Sequence, residues 1–319
     1  MKKIVYSFIL LGIVGFVFYG IIVCVSDINA TKAETDVQLM DKNNEEYIYK
    51  EQLLHLGYTI EDVNIIEKKV SNTDVKKYLL NEKYDNLTKF IASPYFKIEN
   101  ISRYNNYYNN NTYTIDNAVI YVNIGLDNEF YSTVKEITDY NEVTALVNKY
   151  NKLPSNYEAS ELVSLDKDYS ENECKVKQVM LSSLKQMMDD VKNEGMKLNV
   201  ISGYRTESTQ ENLFNNSVKK NGESHALIYS AKPGHSEHQL GLAVDFNNVT
   251  EKFKDTKEYE WLKNNSYKYG FIERYPKDRE FITGYGYEPW HYRYLGIDIA
   301  TKIYQEGITY EEYLVKYAK

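Results

Sequence analysis

The most uniform apolar run of the chain lies at its beginning, from Ile4 to Val25, behind two lysines. No charge interrupts it, and as a helix it would rise roughly 33 Å, enough to cross a bilayer core. A secretory signal has a shorter apolar region, so residues 1–25 are predicted to be a retained signal-anchor; cleavage after Ala30, which would release a secreted protein, is the alternative. The lysines place the N-terminus in the cytoplasm and the rest of the chain outside the cell.

Polar residues without periodicity follow the anchor, and we interpret residues 26–43 as a tether. Residues 44–153 form a second region in which apolar positions recur at helical spacing. Two serine or threonine residues there stand three positions before an aspartate, at Thr59 and Ser71. Such pairs are typical of helix starts.

The segment from Ala118 to Ile124 breaks this helical pattern. Its residues are largely β-branched and partly alternate between apolar and polar, which predicts a strand. The second region is therefore expected to be mainly helical with one strand. Whether it forms a separate module or an arm of the region that follows stays open.

Beyond residue 153 the periodicity alternates between helix and strand. Apolar positions at helical spacing predict helices over 172–194 and 206–219 and in the segment that ends at Gly270. Short apolar runs predict a strand in "KLNVISGYRT", which ends in a glycine turn, and further strands at "LGLAVDF" and "EPWHYRYLG". Since these elements lack regular β-α-β alternation, we expect an α+β fold whose small, mostly antiparallel sheet is flanked by helices.

Composition narrows the classes of protein and of site. The net charge of −8 argues against a nucleic-acid-binding protein, which needs a basic surface to neutralise phosphates. The chain has two cysteines, and one of them, Cys24, lies in the apolar run. A disulfide framework or a thiolate metal cluster is therefore not expected, and a metal site would be built from histidine and carboxylate.

Four of the five histidines fall between residues 225 and 291. His238 and Asp245 are seven residues apart, and Gly241 between them permits a turn into the strand that carries the aspartate. Together with His291 they offer two imidazoles and one carboxylate, a set that leaves one zinc position open, as catalysis requires. Glu288, close by in sequence, could serve as a general base if the backbone bends before His291.

Each of these residues also has a structural interpretation. A single histidine is more often a core or surface residue than a ligand, and Trp290 is expected to pack in the core. Arg205 could form a surface ion pair, although its position after a strand and a glycine turn is a common one for site residues. Asp245 differs, because a carboxylate in a short apolar strand is costly to bury unless it is paired or binds a metal.

Three motifs of the chain, "SGYRTESTQ", "PGHSEHQLGLAVDF" and "EPWHYRYLG", resemble the VanY-type D-alanyl-D-alanine carboxypeptidases. They span Ser202 to Gly296 in matching order and spacing, and the similarity reaches back to Ala145. The resemblance implies that residues 154–319 are a zinc carboxypeptidase domain acting on peptidoglycan stem peptides.

The resemblance also implies roles for individual residues. His238, Asp245 and His291 would hold one zinc ion, and Glu288 would act as general base. Arg205 would stabilise the oxyanion that forms on the attacked carbonyl. Two further positions of the motifs would contact the substrate, namely Ser236, expected at its terminal carboxylate, and Gln210, while His235 is not expected to be a ligand.

Several alternatives stay open at this stage. The same motifs occur in L,D-carboxypeptidases and endopeptidases of the cell wall, and the Tyr-rich stretch from Tyr267 to Tyr287 is where specificity could lie. A non-catalytic wall-binding module with a structural metal is a different class of function. Glu288 and Arg205 argue against it, because a structural site needs neither residue.

Overall fold

The computed structural model describes residues 49–318. Within that range no helix combines the length and the apolar character that crossing a membrane requires. The predicted signal-anchor, residues 1–25, and the tether, residues 26–43, lie outside the described residues.

The described chain divides into two compact units, and the first comprises residues 49–92 and 97–105. It is helical: residues 49–55 form a helical segment, and the following helices are α1 (Ile60–Lys69), α2 (Asn72–Tyr78), α3 (Leu87–Ala92) and the start of α4 (Ile101–Asn109). Both predicted helix starts are confirmed, since Thr59 caps α1 in a capping box with Asp62 and Ser71 caps α2.

The second unit comprises residues 93–96 and 106–318. Its helices after α4 are α5 (Ile115–Ile124), α6 (Gln178–Asn193), α7 (Glu207–Asn221), α8 (Glu223–Tyr229), α9 (Lys257–Asn265), α10 (Glu280–Thr283), α11 (Ile297–Glu306) and α12 (Tyr310–Tyr317). Its strands are β1 (Lys135–Glu136), β2 (Asn151–Lys152), β3 (Leu162–Ser164), β4 (Lys175–Lys177), β5 (Val200–Ser202), β6 (Ala243–Phe246), β7 (Phe271–Glu273) and β8 (His291–Tyr294).

Four of these strands form the central sheet, in the order β5-β6-β8-β7, and every neighbouring pair is antiparallel. The expected combination of helices with a small antiparallel sheet is thereby confirmed. One cluster of buried side chains joins the apolar stripe of α6, including Leu184 and Met187, to Val244 and Tyr292 of the sheet. This core fixes the sheet from one side and leaves the opposite face of β6 and β8 for polar residues.

The prediction of a strand from Ala118 to Ile124 is wrong, because this segment belongs to helix α5. The Thr114 side chain caps its start by accepting a hydrogen bond from the backbone N–H of Asn117, and Gly125, at φ 106°, ends it in the left-handed region. Five consecutive residues, 118–122, are buried. A helix that is apolar on several faces shows little periodicity, and the β-branched composition therefore suggested a strand.

The predicted helix over 172–194 begins later than expected, at Gln178, because Lys175–Lys177 form β4 and pair with β3. The expected boundary after residue 153 lies inside the second unit. Ala145, Val147 and Leu153 share the buried cluster that contains Leu240. The segment before residue 154 thus contributes to the core beneath the candidate site.

Candidate active site

His238 lies in a short 3-10 turn, Glu237–Leu240, that leads into β6. Gly241 ends this turn in the left-handed region, at φ 71°, and a Cβ atom there would lie 2.9 Å from a side-chain carbon of Leu162. Glycine is therefore required for the chain to reverse at this point. Nδ1 of His238 lies 2.7 Å from the carbonyl oxygen of Gly203, so that Nε2 is the nitrogen free to bind a ligand.

Asp245 and His291 are direct partners across the β6–β8 pair. Residues opposite each other in antiparallel strands project from the same face of the sheet. Oδ1 of Asp245 lies 3.1 Å from Nδ1 of His291, and Oδ2 lies 3.3 Å from Nε2 of His238. The three side chains are buried, and their ligand atoms all fall within 4.8 Å of one another.

These three residues fit a zinc ion. Zinc bonds of about 2.0–2.1 Å at tetrahedral angles separate two donor atoms by roughly 3.3–3.4 Å, and each histidine nitrogen lies 3.1 or 3.3 Å from one of the two Asp245 oxygens. Oδ1 of Asp245 is buried without a hydrogen-bond partner among residues 49–318. A buried carboxylate oxygen without a donor is costly, and a cation at this position would satisfy it.

The charge states of the two histidines differ. Burial and the neighbouring Arg205 lower the pKa of His238 to about 4, so this imidazole is neutral at pH 7. Burial also opposes charge on His291, but the adjacent Asp245 and Glu237 carboxylates outweigh it and raise the pKa of His291 to about 9. A metal must therefore displace a proton from His291 before it can bind.

Arg205 points its guanidinium at the metal ligands. It follows β5 and Gly203, where a Cβ atom would lie 2.4 Å from the carbonyl oxygen of Lys175. Its Nη2 donates to Oδ2 of Asp245 at 2.6 Å, and its Nη1 donates to Oε1 of Gln210 at 3.3 Å. The Gln210 amide also donates to the carbonyl of Ala231. In this arrangement Gln210 holds Arg205.

Glu288 stands beside the metal ligands without being one of them. Its Oε2 lies 3.7 Å from Nδ1 of His291. The expected bend is a turn in which the His291 N–H donates to the Glu288 carbonyl, and β8 begins only at His291. Burial raises the pKa of Glu288 to about 7. A carboxylate with such a pKa can accept and return a proton near neutral pH.

All seven site residues predicted from the sequence line one open cleft of about 660 Å³. Ser236 is buried at the start of the 3-10 turn, and its hydroxyl does not cap that turn. Trp290 combines the expected packing role with a place in the wall. Tyr275 and Tyr285, from the Tyr-rich stretch, form part of the wall, whereas Tyr267 does not line it.

Two further observations concern the residues next to His238. His235 is not part of the metal-binding group; its Nδ1 lies 2.7 Å from the carbonyl of Asn148. Glu237 was not singled out from the sequence, although it is fully buried beside His291. The sequence signal for it is weaker than that for Asp245, because its neighbours are polar and only its place directly before the predicted ligand His238 marks it.

Comparison with known proteins places this site in a family. A family profile described as VanY, D-alanyl-D-alanine carboxypeptidase, matches residues 173–297. The provisionally named carboxypeptidase YodJ of Bacillus subtilis is 40% identical over 210 residues, which cover 61% of this chain and 77% of that protein. The chain belongs to the VanY carboxypeptidase family.

The chain is also similar to solved structures. The structure of the LdcB LD-carboxypeptidase, described as revealing peptidoglycan recognition, is 41% identical, with a TM-score of 0.54, and covers 57% of this chain and 90% of its own. A mutant of the vancomycin-resistance D,D-pentapeptidase VanY in complex with Zn(II) is 39% identical, with a TM-score of 0.48. The match covers 54% of this chain and 98% of that one.

Proposed function

We propose that this VanY-family member is a zinc-dependent carboxypeptidase that removes the C-terminal D-alanine from peptidoglycan stem peptides. The proposal rests on one observation. Two imidazoles and a carboxylate that fit zinc share a cleft with the Glu288 carboxylate, whose pKa is raised, and with the Arg205 guanidinium. A structural metal site requires neither of the last two groups.

His238, Asp245 and His291 would hold the zinc ion through Nε2, a carboxylate oxygen and Nδ1. Zinc, when bound in such a site, polarises the scissile carbonyl and lowers the pKa of water. The hydrogen bond from His238 Nδ1 to Gly203 fixes the ring in the orientation that the metal needs. Other side chains of the cleft would transfer the proton and stabilise the developing charge.

Glu288 is the general base of the proposed reaction. It accepts a proton from the water that attacks the scissile carbonyl, and a carbon–oxygen bond forms. As the carbon–nitrogen bond breaks, Glu288 returns that proton to the leaving amine, so that the carboxylate is regenerated. Burial supports this cycle, because a pKa raised to about 7 makes both transfers accessible at neutral pH.

Arg205 and Ser236 bind the substrate in this proposal. The Arg205 guanidinium lies 2.6 Å from Asp245 at the floor of the cleft, where negative charge develops on the attacked carbonyl. A fixed cation in a largely buried site stabilises such charge more strongly than it would in water. The Ser236 hydroxyl, which is not used for capping, is available to the terminal carboxylate of the peptide.

A specific likeness favours L,D-carboxypeptidase activity as a second candidate. LdcB, an LD-carboxypeptidase by name, is 41% identical to this chain and shares its fold with a TM-score of 0.54. The proposed mechanism is the same for both candidates. They differ in the peptide bond that the cleft accepts, and we expect Tyr275 and Tyr285, which form part of the cleft wall, to contribute to that choice.

Mass spectrometry of defined stem peptides tests the proposal. Loss of one D-alanine from a pentapeptide supports the D,D activity, whereas loss from a tetrapeptide alone supports the L,D candidate. Treatment with a chelator should abolish either cleavage. Glu288→Gln should bind zinc normally but lose about 10²–10⁴-fold in kcat, while Glu280→Gln, outside the cleft, is the matched control. Cleavage that survives in Glu288→Gln contradicts the mechanism.

The location of the enzyme is part of the proposal. We infer that residues 1–25 anchor it in the cytoplasmic membrane, with the carboxypeptidase domain outside the cell; the alternative is secretion after cleavage. A tether would raise the local concentration of the enzyme at newly exported wall precursors. The domain should be found in the membrane fraction of untreated cells. Protease added to intact cells should degrade it. A domain found only in the medium would support the secreted alternative.

A further inference from the structure

Glu237 has a role that the proposed mechanism does not use. It immediately precedes His238, and its side chain is 0% exposed. One of its oxygens, Oε1, accepts a hydrogen bond from Nε of Arg274 at 2.8 Å and lies 3.0 Å from Nη1 of Arg293. A buried carboxylate is stable only when it is compensated in this way.

The second oxygen of Glu237 faces the metal ligand His291. Oε2 lies 3.7 Å from Nε2 of His291, the ring nitrogen that points away from Asp245. Both atoms are buried, and neither has a hydrogen-bond partner among residues 49–318. A donor and an acceptor without other partners therefore face each other. A shift of roughly 0.7 Å would bring them to hydrogen-bonding distance.

A network of buried charges keeps Glu237 from turning away. Arg274 also donates to both oxygens of Glu311, at 3.0 and 2.7 Å, and Glu311 lies in the first turn of helix α12. Oε1 of Glu311 accepts in addition from the side-chain amide of Asn148. The two arginines balance the two glutamates, so that rotation of Glu237 would leave a guanidinium uncompensated in the interior.

We propose that Glu237 is a positioning residue that accepts the Nε2–H of His291 and so keeps Nδ1 unprotonated toward the metal. The inference rests on the proposed function, since it assigns a role relative to the zinc ligand. Ligand histidines commonly donate their other N–H to a carboxylate or a carbonyl, which fixes the tautomer and raises the basicity of the ligand. His238 follows the same rule through Gly203.

The isosteric variant Glu237→Gln makes the proposal testable. Because the two arginines require an acceptor at Oε1, the new NH2 group must stand at the position of Oε2. It would then donate toward Nε2 of His291 and favour the proton on Nδ1, the nitrogen that has to bind zinc. We expect the affinity for zinc to fall about 10–100-fold.

Competition with a chromophoric chelator measures zinc affinity without reference to activity, and the absorption spectrum of the Co²⁺-loaded protein reports on the ligands. Glu311→Gln is the matched control: it introduces the same change into the same buried network, in contact with Arg274 but not with His291. We expect its zinc affinity to stay within about twofold of wild type and its Co²⁺ spectrum to be unchanged. Denaturation of the zinc-free proteins shows whether each variant is folded.

Two outcomes would overturn the proposal: wild-type zinc affinity in Glu237→Gln, or equal losses in Glu237→Gln and Glu311→Gln. Should Glu237→Gln not fold, Glu237→Asp decides, because it keeps an acceptor and should bind zinc more tightly than Glu237→Ala. The reverse order would sink the idea. A wild-type protein that binds zinc but cleaves no stem peptide would contradict the proposed function alone, since these affinities would still be measurable.

Discussion

Glu273 allows a quantitative prediction about stability that is independent of the active site. It ends β7 opposite Tyr292, and its side chain therefore projects from the face of the sheet away from His291. The hydroxyl of Tyr259 donates to its Oε1 at 3.0 Å. Burial outweighs this hydrogen bond and the nearby Lys263, and raises the pKa of Glu273 from 4.5 to about 7.

The raised pKa makes the free energy of unfolding depend on pH. Between pH 4.5 and about 7 the folded protein keeps the Glu273 proton while the unfolded chain releases it, so stability falls as pH rises through this window. At about 1.4 kcal/mol per pH unit the loss is complete above about pH 7 and amounts to at most about 3 kcal/mol. Glu273→Gln, which keeps the acceptor for Tyr259, should remove this loss.

Urea denaturation of wild type and Glu273→Gln at about pH 5 and about pH 8 measures the effect. We expect the variant to gain up to about 3 kcal/mol relative to wild type between the two pH values. Other titrating groups cancel, because they are common to both proteins. The exposed Glu260→Gln is the control and should show no such gain. A difference between Glu273→Gln and wild type that does not change with pH would refute the reasoning.

Three further predictions concern the site. Because burial and the neighbouring carboxylates raise the pKa of His291 to about 9, zinc affinity should rise with pH up to that value. Calorimetry in buffers of different ionisation enthalpy should detect the proton that zinc displaces. Zinc binding that does not depend on pH would contradict this prediction. Gln210→Leu removes the acceptor of Arg205 and should lower kcat about tenfold with unchanged zinc affinity, so a weakened zinc affinity would speak against a role through Arg205. Gly203→Ala places a Cβ atom 2.4 Å from the Lys175 carbonyl oxygen and should lower the free energy of unfolding by about 2–3 kcal/mol. A variant as stable as wild type in urea denaturation would contradict the close approach of these two backbone segments.

Local signals in the sequence predicted the parts of the fold that depend on local chemistry. Thr59 and Ser71 marked helix starts because a side-chain oxygen must satisfy free N–H groups there. The strand that carries Asp245 was recognisable from its short apolar run. Helix α5 was missed because burial on several faces removed the periodicity that distinguishes helix from strand.

The site residues that could be predicted are those whose type and local sequence already indicate a chemical role. His238 and His291 are two of only five histidines, Asp245 is a carboxylate in a short apolar strand, and the structure brings the three together. The support around them was not predictable, because it depends on contacts across long stretches of chain. Glu311 lies 37 residues from Arg274, and only the packing of α12 brings them into contact.

The pairing of Asp245 with His291 ties metal chemistry to the alignment of strands β6 and β8. The period of a strand is two, so a slip by one residue would turn either side chain to the opposite face of the sheet. A chain in which β6 and β8 paired in a shifted register would therefore lack the complete ligand set, and zinc would not stabilise it. Metal binding can thus act as a check on folding, since it stabilises only those molecules whose strands are correctly aligned.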